Sequence, residues 1–302
     1  MDKRVVAFIL AFTASVIYGI SFTIAKEVMP LYIKPYGFIF MRVSGATILF
    51  WLISFTIPKV KIERVDYFKI LLSAIFGVAL NMLTFFKGLS LTTPINGAVI
   101  MTTTPIIVLF FSFLIIRERI TIRKTTGILL GMIGTIVLLT YGPKAVTNAP
   151  NIQLGNLLVF INAASYGLYL IISKPLLEKY HPFHLIKWIY LLGFIMVLPF
   201  GLKEVIEVNW VNLPTQAYYR IGFIVFFTTF ITYLFNLLAL RRVKATTLSV
   251  FLYLQPLVAS IYAIFVGSDS LNTTKIGAAG LIFFGVYLVS KRVDNGKMKV
   301  QS

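Results

Sequence analysis

The sequence contains no cysteine in its 302 residues. That excludes a disulfide framework, a thiol nucleophile and a thiolate metal site. Acids are scarce: 10 Asp and Glu stand against 28 Lys and Arg. None of the acids falls in the middle of a long apolar run, so a carboxylate proton relay is not visible. No phosphate-cradling glycine loop occurs, so ATP does not drive the chain directly. His181 and His184 flank Pro182-Phe183 in a basic loop without an acid cluster. No metal site, no catalytic constellation and no cofactor is expected, and the chain does not read as an enzyme.

Apolar sequence is abundant instead. Hydrophobic residues make up 58% of the chain and charged ones 13%, with a mean hydropathy of +0.89. Soluble domains run nearer half apolar and a quarter charged. A membrane helix needs about 20 mostly apolar residues. Ten such runs are present, at roughly 5–25, 36–57, 68–90, 95–116, 125–142, 154–173, 184–202, 217–239, 245–266 and 276–290. The predicted fold class is an all-α polytopic membrane protein of ten transmembrane helices. The Lys3-Arg4 start before an apolar run resembles a signal peptide. Because that run has a counterpart in span six, a retained first helix is expected.

The charges are sorted. Alternate connections and both termini hold 20 of the 28 Lys and Arg; the other connections hold seven, and Arg42 lies within span two. Short loops rich in Lys and Arg stay in the cytoplasm. Both termini are therefore expected there, in a cell (inner) membrane protein. The net charge of +18 is read as topology and as affinity for anionic lipids, not as nucleic-acid binding.

The same unit occurs twice. A shift of 151 residues carries Pro105 onto Pro256, Glu118 onto Asp269, Leu130 onto Leu281 and Gly134 onto Gly285. A shift of 148 carries Tyr18-Gly19 onto Tyr166-Gly167 and Lys26 onto Lys174. The units are 5–142 and 154–291, joined by an external linker at 143–153. Each holds five spans, and five is odd, so the second unit is expected to insert upside down. Inverted repeats of this kind place a solute site near the midplane with two equivalent gates. Gly127, Gly131 and Gly134 in span five, and Gly277, Gly280 and Gly285 in span ten, let helices approach closely. They read as packing within the chain or as a homodimer seam.

Several polar residues recur at matched positions. Asn81 and Thr84 lie on span three, with Thr232 and Asn236 on span eight. Asn162, Tyr166 and Tyr169 form a stripe on span six, matched by Ser15, Tyr18 and Phe22 on span one. Tyr253 and Gln255 precede Pro256 on span nine. Such a lining offers π-faces, hydroxyls and amides to an amphipathic solute; interhelical hydrogen bonding is the competing reading. Among the charged candidates, Lys26, Lys87 and Lys174 either face the solute path or snorkel to the headgroups. Arg42 is the hardest to snorkel; it pairs with Glu27, bonds carbonyls or meets substrate. Unpaired central cations favour a substrate bearing a carboxylate or other anion. Pro105 and Pro256 break the hydrogen bonding of spans four and nine at symmetric places. They read as gate kinks or as static packing kinks, with Thr102-Thr103-Thr104 placed to satisfy the freed carbonyls.

These residues also carry a resemblance. Tyr18-Gly19 with Phe22 and Lys26, Thr104-Pro105, Arg117-Glu118 and the run Gly127 to Gly134 are joined by Leu254-Gln255-Pro256, Asp269 and the run Ala278 to Val286. In order, spacing and duplication the chain resembles the EamA-type transporters of the drug/metabolite transporter superfamily, over nearly its whole length. It departs in having Arg117-Glu118 and Ser268-Asp269 where the family usually has Gly-Glu, and Tyr18 where it usually has Trp. The resemblance implies export or exchange of small metabolites, amino acids or drugs through a central cavity. The alternatives are a translocase for a lipid or lipid-linked sugar, a membrane enzyme lacking its expected acids, and a channel lacking an amphipathic lining helix.

The charge count generates a test. Reporter fusions to the linker at 143–153 and to the C-terminus are expected on opposite sides of the membrane, the C-terminal one cytoplasmic. Both on one side would overturn the topology.

Overall fold

The structure is a computed structural model that describes residues 2–29, 31–92, 94–140, 150–265 and 271–291; the side chains of Phe22, Thr23, Lys26, Pro94, Ile95 and Ala263 fall outside that description. Asp269 and most of the linker at 143–153 also lie outside the described residues. Among the described residues, ten helices are long and apolar enough to cross a membrane. They are α1 (Lys3–Lys26), α2 (Pro35–Ser54), α3 (Asp66–Leu91), α4 (Asn96–Ile116), α5 (Ile122–Thr140), α6 (Ile152–Lys179), α7 (Pro182–Ile206), α8 (Thr215–Arg242), α9 (Ala245–Tyr262) and α10 (Thr273–Ser290). Among the described residues there is no strand. In hydrocarbon only a helix satisfies its own backbone locally, and ten apolar runs therefore become ten helices.

Local chemistry fixes the helix ends. Pro35 and Pro182 occupy first helical positions, where the missing N–H is no loss. Asn151 and Asn272 cap α6 and α10, their side-chain oxygens accepting from Leu154 N at 3.1 Å and Lys275 N at 2.9 Å. α4 stops at Arg117, which adopts the left-handed conformation at φ 53°, and Glu118 N closes the turn on Ser112 O at 2.9 Å. α6 runs to Lys179, past the limit expected from hydropathy at 173, because lysine stems carry a helix beyond its apolar part.

The main pairings are α5 with α10, α2 with α7, α3 with α6, α1 with α8, α1 with α9 and α4 with α6. Exchanging the halves, so that α1 becomes α6 and so on, leaves α5–α10 and α2–α7 unchanged, turns α3–α6 into α1–α8 and turns α4–α6 into α1–α9. The helix irregularities obey the same exchange. α3 contains a π-helical stretch at Ile75–Ala79 and α8 one at Ile224–Ile231. α4 is interrupted at Thr102-Thr103 and α9 by a 3-10 stretch at Val250–Tyr253.

The α5–α10 contact depends on absent side chains. A Cβ added to Gly285 would stand 2.5 Å from Gly127 O, and one added to Gly134 would stand 2.8 Å from Ala278 O. Gly277 and Gly280 differ from the expectation that all the glycines serve close approach: a Cβ on either meets nothing within 4 Å, because they lie on other faces of α10.

Gly285→Ala is expected to lower stability by about 1–3 kcal/mol by forcing the two backbones apart. Gly280→Ala should stay within about 0.5 kcal/mol. Thermal unfolding of the two purified variants checks the contrast, and equal midpoints would contradict the packing described.

Candidate functional site

The irregular stretches leave backbone oxygens without their usual helical donors, and in hydrocarbon each needs another partner. In the π-helical part of α3, Phe76 O accepts from Ser165 Oγ at 2.7 Å and Gly77 O from Tyr233 Oη at 3.3 Å. In that of α8, Thr229 Oγ1 donates to Ile224 O at 2.9 Å and accepts from Arg42 Nε at 3.0 Å. Pro105 frees Met101 O, which the Thr104 hydroxyl takes at 2.7 Å; Thr102 O, at the break in α4, accepts from Tyr253 Oη at 3.2 Å. The breaks thus collect polar side chains from both halves.

Between them lies a tyrosine cluster. Tyr166 neighbours Tyr169 with ring centroids 6.1 Å apart, Tyr169 neighbours Tyr233 at 6.5 Å, and Tyr233 meets Tyr190 edge-on at 5.3 Å. The Tyr18 hydroxyl reaches the side chains of Thr232 and Asn236. Tyr169, Tyr190 and Tyr233 are buried, whereas Tyr18 and Tyr166, though surrounded by protein, keep accessible surface.

The structure brings Tyr18, Tyr166, Tyr169, Thr232, Asn236 and Arg42 into this one neighbourhood. Others are engaged between helices. Asn81 Nδ2 donates to Asn162 O at 3.3 Å and Asn162 Nδ2 to Asn81 O at 2.7 Å, joining α3 to α6. Thr84 bonds back to Leu80 O. The Tyr253 ring fills the space that a Cβ on Gly131 would occupy, 2.4 Å from it. Gln255 is partly buried, and its carbonyl comes within 2.8 Å of a Cβ built on Gly19. Lys174 Nζ donates to Leu240 O at 2.7 Å and Val243 O at 3.0 Å, capping the end of α8. Lys87 is exposed. The side chains of Phe22 and Lys26 lie outside the described residues.

Arg42 does not pair with Glu27, one of the partners expected for it. Glu27 instead binds Arg220 at 2.8 Å, because both stand at the end of the bundle opposite the termini while Arg42 lies two turns inside α2. Tyr190, Tyr233, Thr229 and Ser165 were not anticipated. Their one signal was a hydroxyl within an apolar run, which the sequence does not distinguish from ordinary core.

Ion pairs close both ends. Opposite the termini, Lys34 binds Glu207 at 2.7 Å, and Glu204 Oε2 accepts from Gly37 N at 2.8 Å. The Lys34 hydrogen bond holds the Glu207 carboxyl below its usual range and raises the lysine. This pairing is complete at neutral pH and is lost as pH falls through the depressed Glu207 value. At the terminal end, Glu118 is buried against Lys124 and accepts from Thr246 Oγ1 at 2.7 Å, tying α4 to α9. Lys179 bridges Glu63 and Asp66, each at 3.0 Å.

The profile of the EamA-like transporter family matches residues 5–140 and again 153–291. The chain belongs to the EamA-like transporter family. Among its relatives, the uncharacterized transporter YyaM of Bacillus subtilis is 26% identical over 99% of both chains. An uncharacterized transporter of Archaeoglobus fulgidus is 28% identical, over 94% of this chain and 98% of its own. The S-adenosylmethionine/S-adenosylhomocysteine transporter of Chlamydia muridarum is 26% identical, over 94% and 91%. A crystal structure sharing 16% identity superposes with a TM-score of 0.78 over 94% of this chain and 96% of its own, which shows that the ten-helix fold is held in common. These relatives carry the name of transporters.

The reciprocal asparagine pair is expected to act as structural glue. Each side chain donates to the other residue's backbone carbonyl, so each substitution removes one bond and leaves the other. Asn81→Ala and Asn162→Ala are each expected to lower stability by about 0.6–1.7 kcal/mol, nearly additively in the double variant, and thermal unfolding checks this; unchanged midpoints in both single variants would contradict the pairing.

Proposed function

We propose that this chain is a secondary transporter of the cell membrane, with both termini cytoplasmic. It moves small organic metabolites, amino acids and related solutes or drugs, by export or exchange. Solute binds beside Tyr18, Tyr166, Thr232 and Asn236, between two inverted five-helix halves comprising 5–142 and 154–291. That site opens alternately to each face. The observation that carries the reading is the matched pair of breaks around the tyrosine cluster. α4 and α9 are each interrupted just before a proline, and α3 and α8 each relax into π-helix, at positions that exchange with the halves.

Physical reasoning links those breaks to motion. A helix whose hydrogen-bond ladder is already interrupted bends at that point without losing further bonds. Pro105 and Pro256 supply such points on the two helices expected to gate the path. The ion pairs at the two ends are polar and largely at the surface, so separating one set at a time exposes charge to water rather than to lipid. The two separate matches of one family profile support the duplication. The Chlamydia muridarum relative supports a solute of amino-acid type. A second copy of the chain would dock on the faces of α5 and α10 that do not meet each other, where Gly277 and Gly280 lie open.

Untargeted metabolite comparison of cells with and without the chain nominates solutes, and counterflow in proteoliposomes tests them. Uptake of at least one nominated solute is expected, and Asn236→Ala should reduce it at least about tenfold with the amount of folded protein unchanged. No uptake of any nominated solute would contradict the carrier reading; full activity of Asn236→Ala would move the site elsewhere.

A further inference from the structure

Arg42 lies eight residues into α2 and is 8% exposed. Charges at such depth are expensive and are kept where they pair or act. Among the described residues no carboxylate comes within 4.0 Å of its guanidinium, since Glu27, Glu63, Asp66, Glu118 and Glu207 are engaged with lysines or with Arg220. What surrounds Arg42 is neutral. Its Nε donates to Thr229 Oγ1 at 3.0 Å, and its central carbon stands 5.9 Å from the Phe38 ring centre and 5.5 Å from that of Phe86. Aromatic faces at this distance hold a cation without neutralising it. Tyr18, Tyr190 and Tyr233 lie within its electrostatic reach.

A second observation comes from the same cluster. The Tyr169 hydroxyl and Asn162 Oδ1 are buried and have no hydrogen-bond partner among the described residues. Buried polar atoms in native proteins are nearly always paired, with protein, water or ligand. The open Tyr169 hydroxyl lies beside the Tyr166 and Tyr233 rings, where an entering polar group would satisfy it.

We infer that Arg42 receives the carboxylate of the transported solute, so that the substrate class is organic acids with a compact or aromatic body, amino acids included. The inference rests on the carrier reading above and deepens it. A guanidinium presents a planar fork that matches a carboxylate through two parallel hydrogen bonds, and it stays charged however dry the site becomes. An approaching carboxylate supplies the counter-charge the site lacks, which makes acid binding favourable in a way that a neutral amide cannot reproduce. A phosphate dianion would need a second cation. Among the charged candidates whose side chains are described, Lys174 is bound to carbonyls and Lys87 is exposed. Thr229 fixes the guanidinium through the π-helical stretch of α8, so a change in that stretch is transmitted to the bound acid.

The test uses the full chain in lipid nanodiscs and matched solutes. Phenylalanine, methionine and hippurate are compared with their primary amides and with phenethylamine, and phenyl phosphate forms the phosphate arm. At least one acid is expected to raise the unfolding midpoint while its amide does not. Arg42→Gln should weaken that acid by about tenfold to a hundredfold, the range of a charge-assisted hydrogen bond. If Arg42→Gln does not fold, Thr229→Val keeps the charge and releases Nε; it should weaken the acid severalfold and leave the amide unchanged. Amides acting as strongly as acids, phenyl phosphate acting more strongly, an acid effect that survives both substitutions, or silence across all the acids would each overturn the inference. Uptake of an amide or amine into proteoliposomes would sink the carboxylate assignment and leave the carrier intact. Absence of uptake for every solute, including those nominated from cells, would sink the carrier itself.

Discussion

Hydrocarbon offers no hydrogen bonds, and the rest of the structure depends on that deficit. A continuous apolar helix meets the demand alone. An interrupted one does not, and among the described residues α3, α4, α8 and α9 depart from regular α-helix. Each interruption recruits a side chain from elsewhere: Ser165 and Tyr233 for α3, Arg42 for Thr229 of α8, Tyr253 for α4 and Ser15 for Phe251 O of α9. The polar side chains gather at the centre because the backbone there requires them. On the proposed reading, solute recognition and helix integrity are built from the same residues.

That coupling explains the division of labour among the polar groups. Asn81 with Asn162 and Lys174 with the end of α8 are closed arrangements, each joining two helices. Glu118 with Lys124 and Thr246 closes the terminal end, and Lys34 with Glu207 the opposite one. Tyr18, Tyr166, Asn236 and Arg42 remain at the centre, among residues with accessible surface or without counter-charge. At the seam between α5 and α10 glycine backbones touch, and Arg123 donates to Lys291 O at its end.

Much of the fold is legible in the sequence, because hydropathy adds along a chain and ten runs of sufficient length cannot be hidden. The breaks at Pro105 and Pro256 are legible too, since proline removes a hydrogen bond wherever it stands. The threonine that takes the carbonyl freed by Pro105 could be picked out from its position one residue away. The π-helical stretches at Ile75–Ala79 and Ile224–Ile231 were not legible: which carbonyl slips out of register depends on a lateral donor that arrives from another helix. For the same reason Tyr190 and Tyr233 looked like core. Direction around a helix is likewise a tertiary property, which is why Gly277 and Gly280 read like Gly285 although only Gly285 meets a neighbouring backbone. Arg42 was recognisable as anomalous from its depth alone, but the absence of a carboxylate beside it among the described residues required the positions of their acids.

The central claim is a solute path at the bilayer midplane that each face reaches in turn. The lack of any cysteine makes this directly measurable, because Thr232→Cys would introduce the only thiol. Thr232 is wholly buried in the present state and bonds to its own helix, so the thiol reacts only when the path opens. Membrane-impermeant thiol reagents are applied to intact cells and, separately, to inside-out vesicles. Labelling from both sides is predicted. Protection from both sides, or labelling from one side only under every condition, would contradict alternating access at this site.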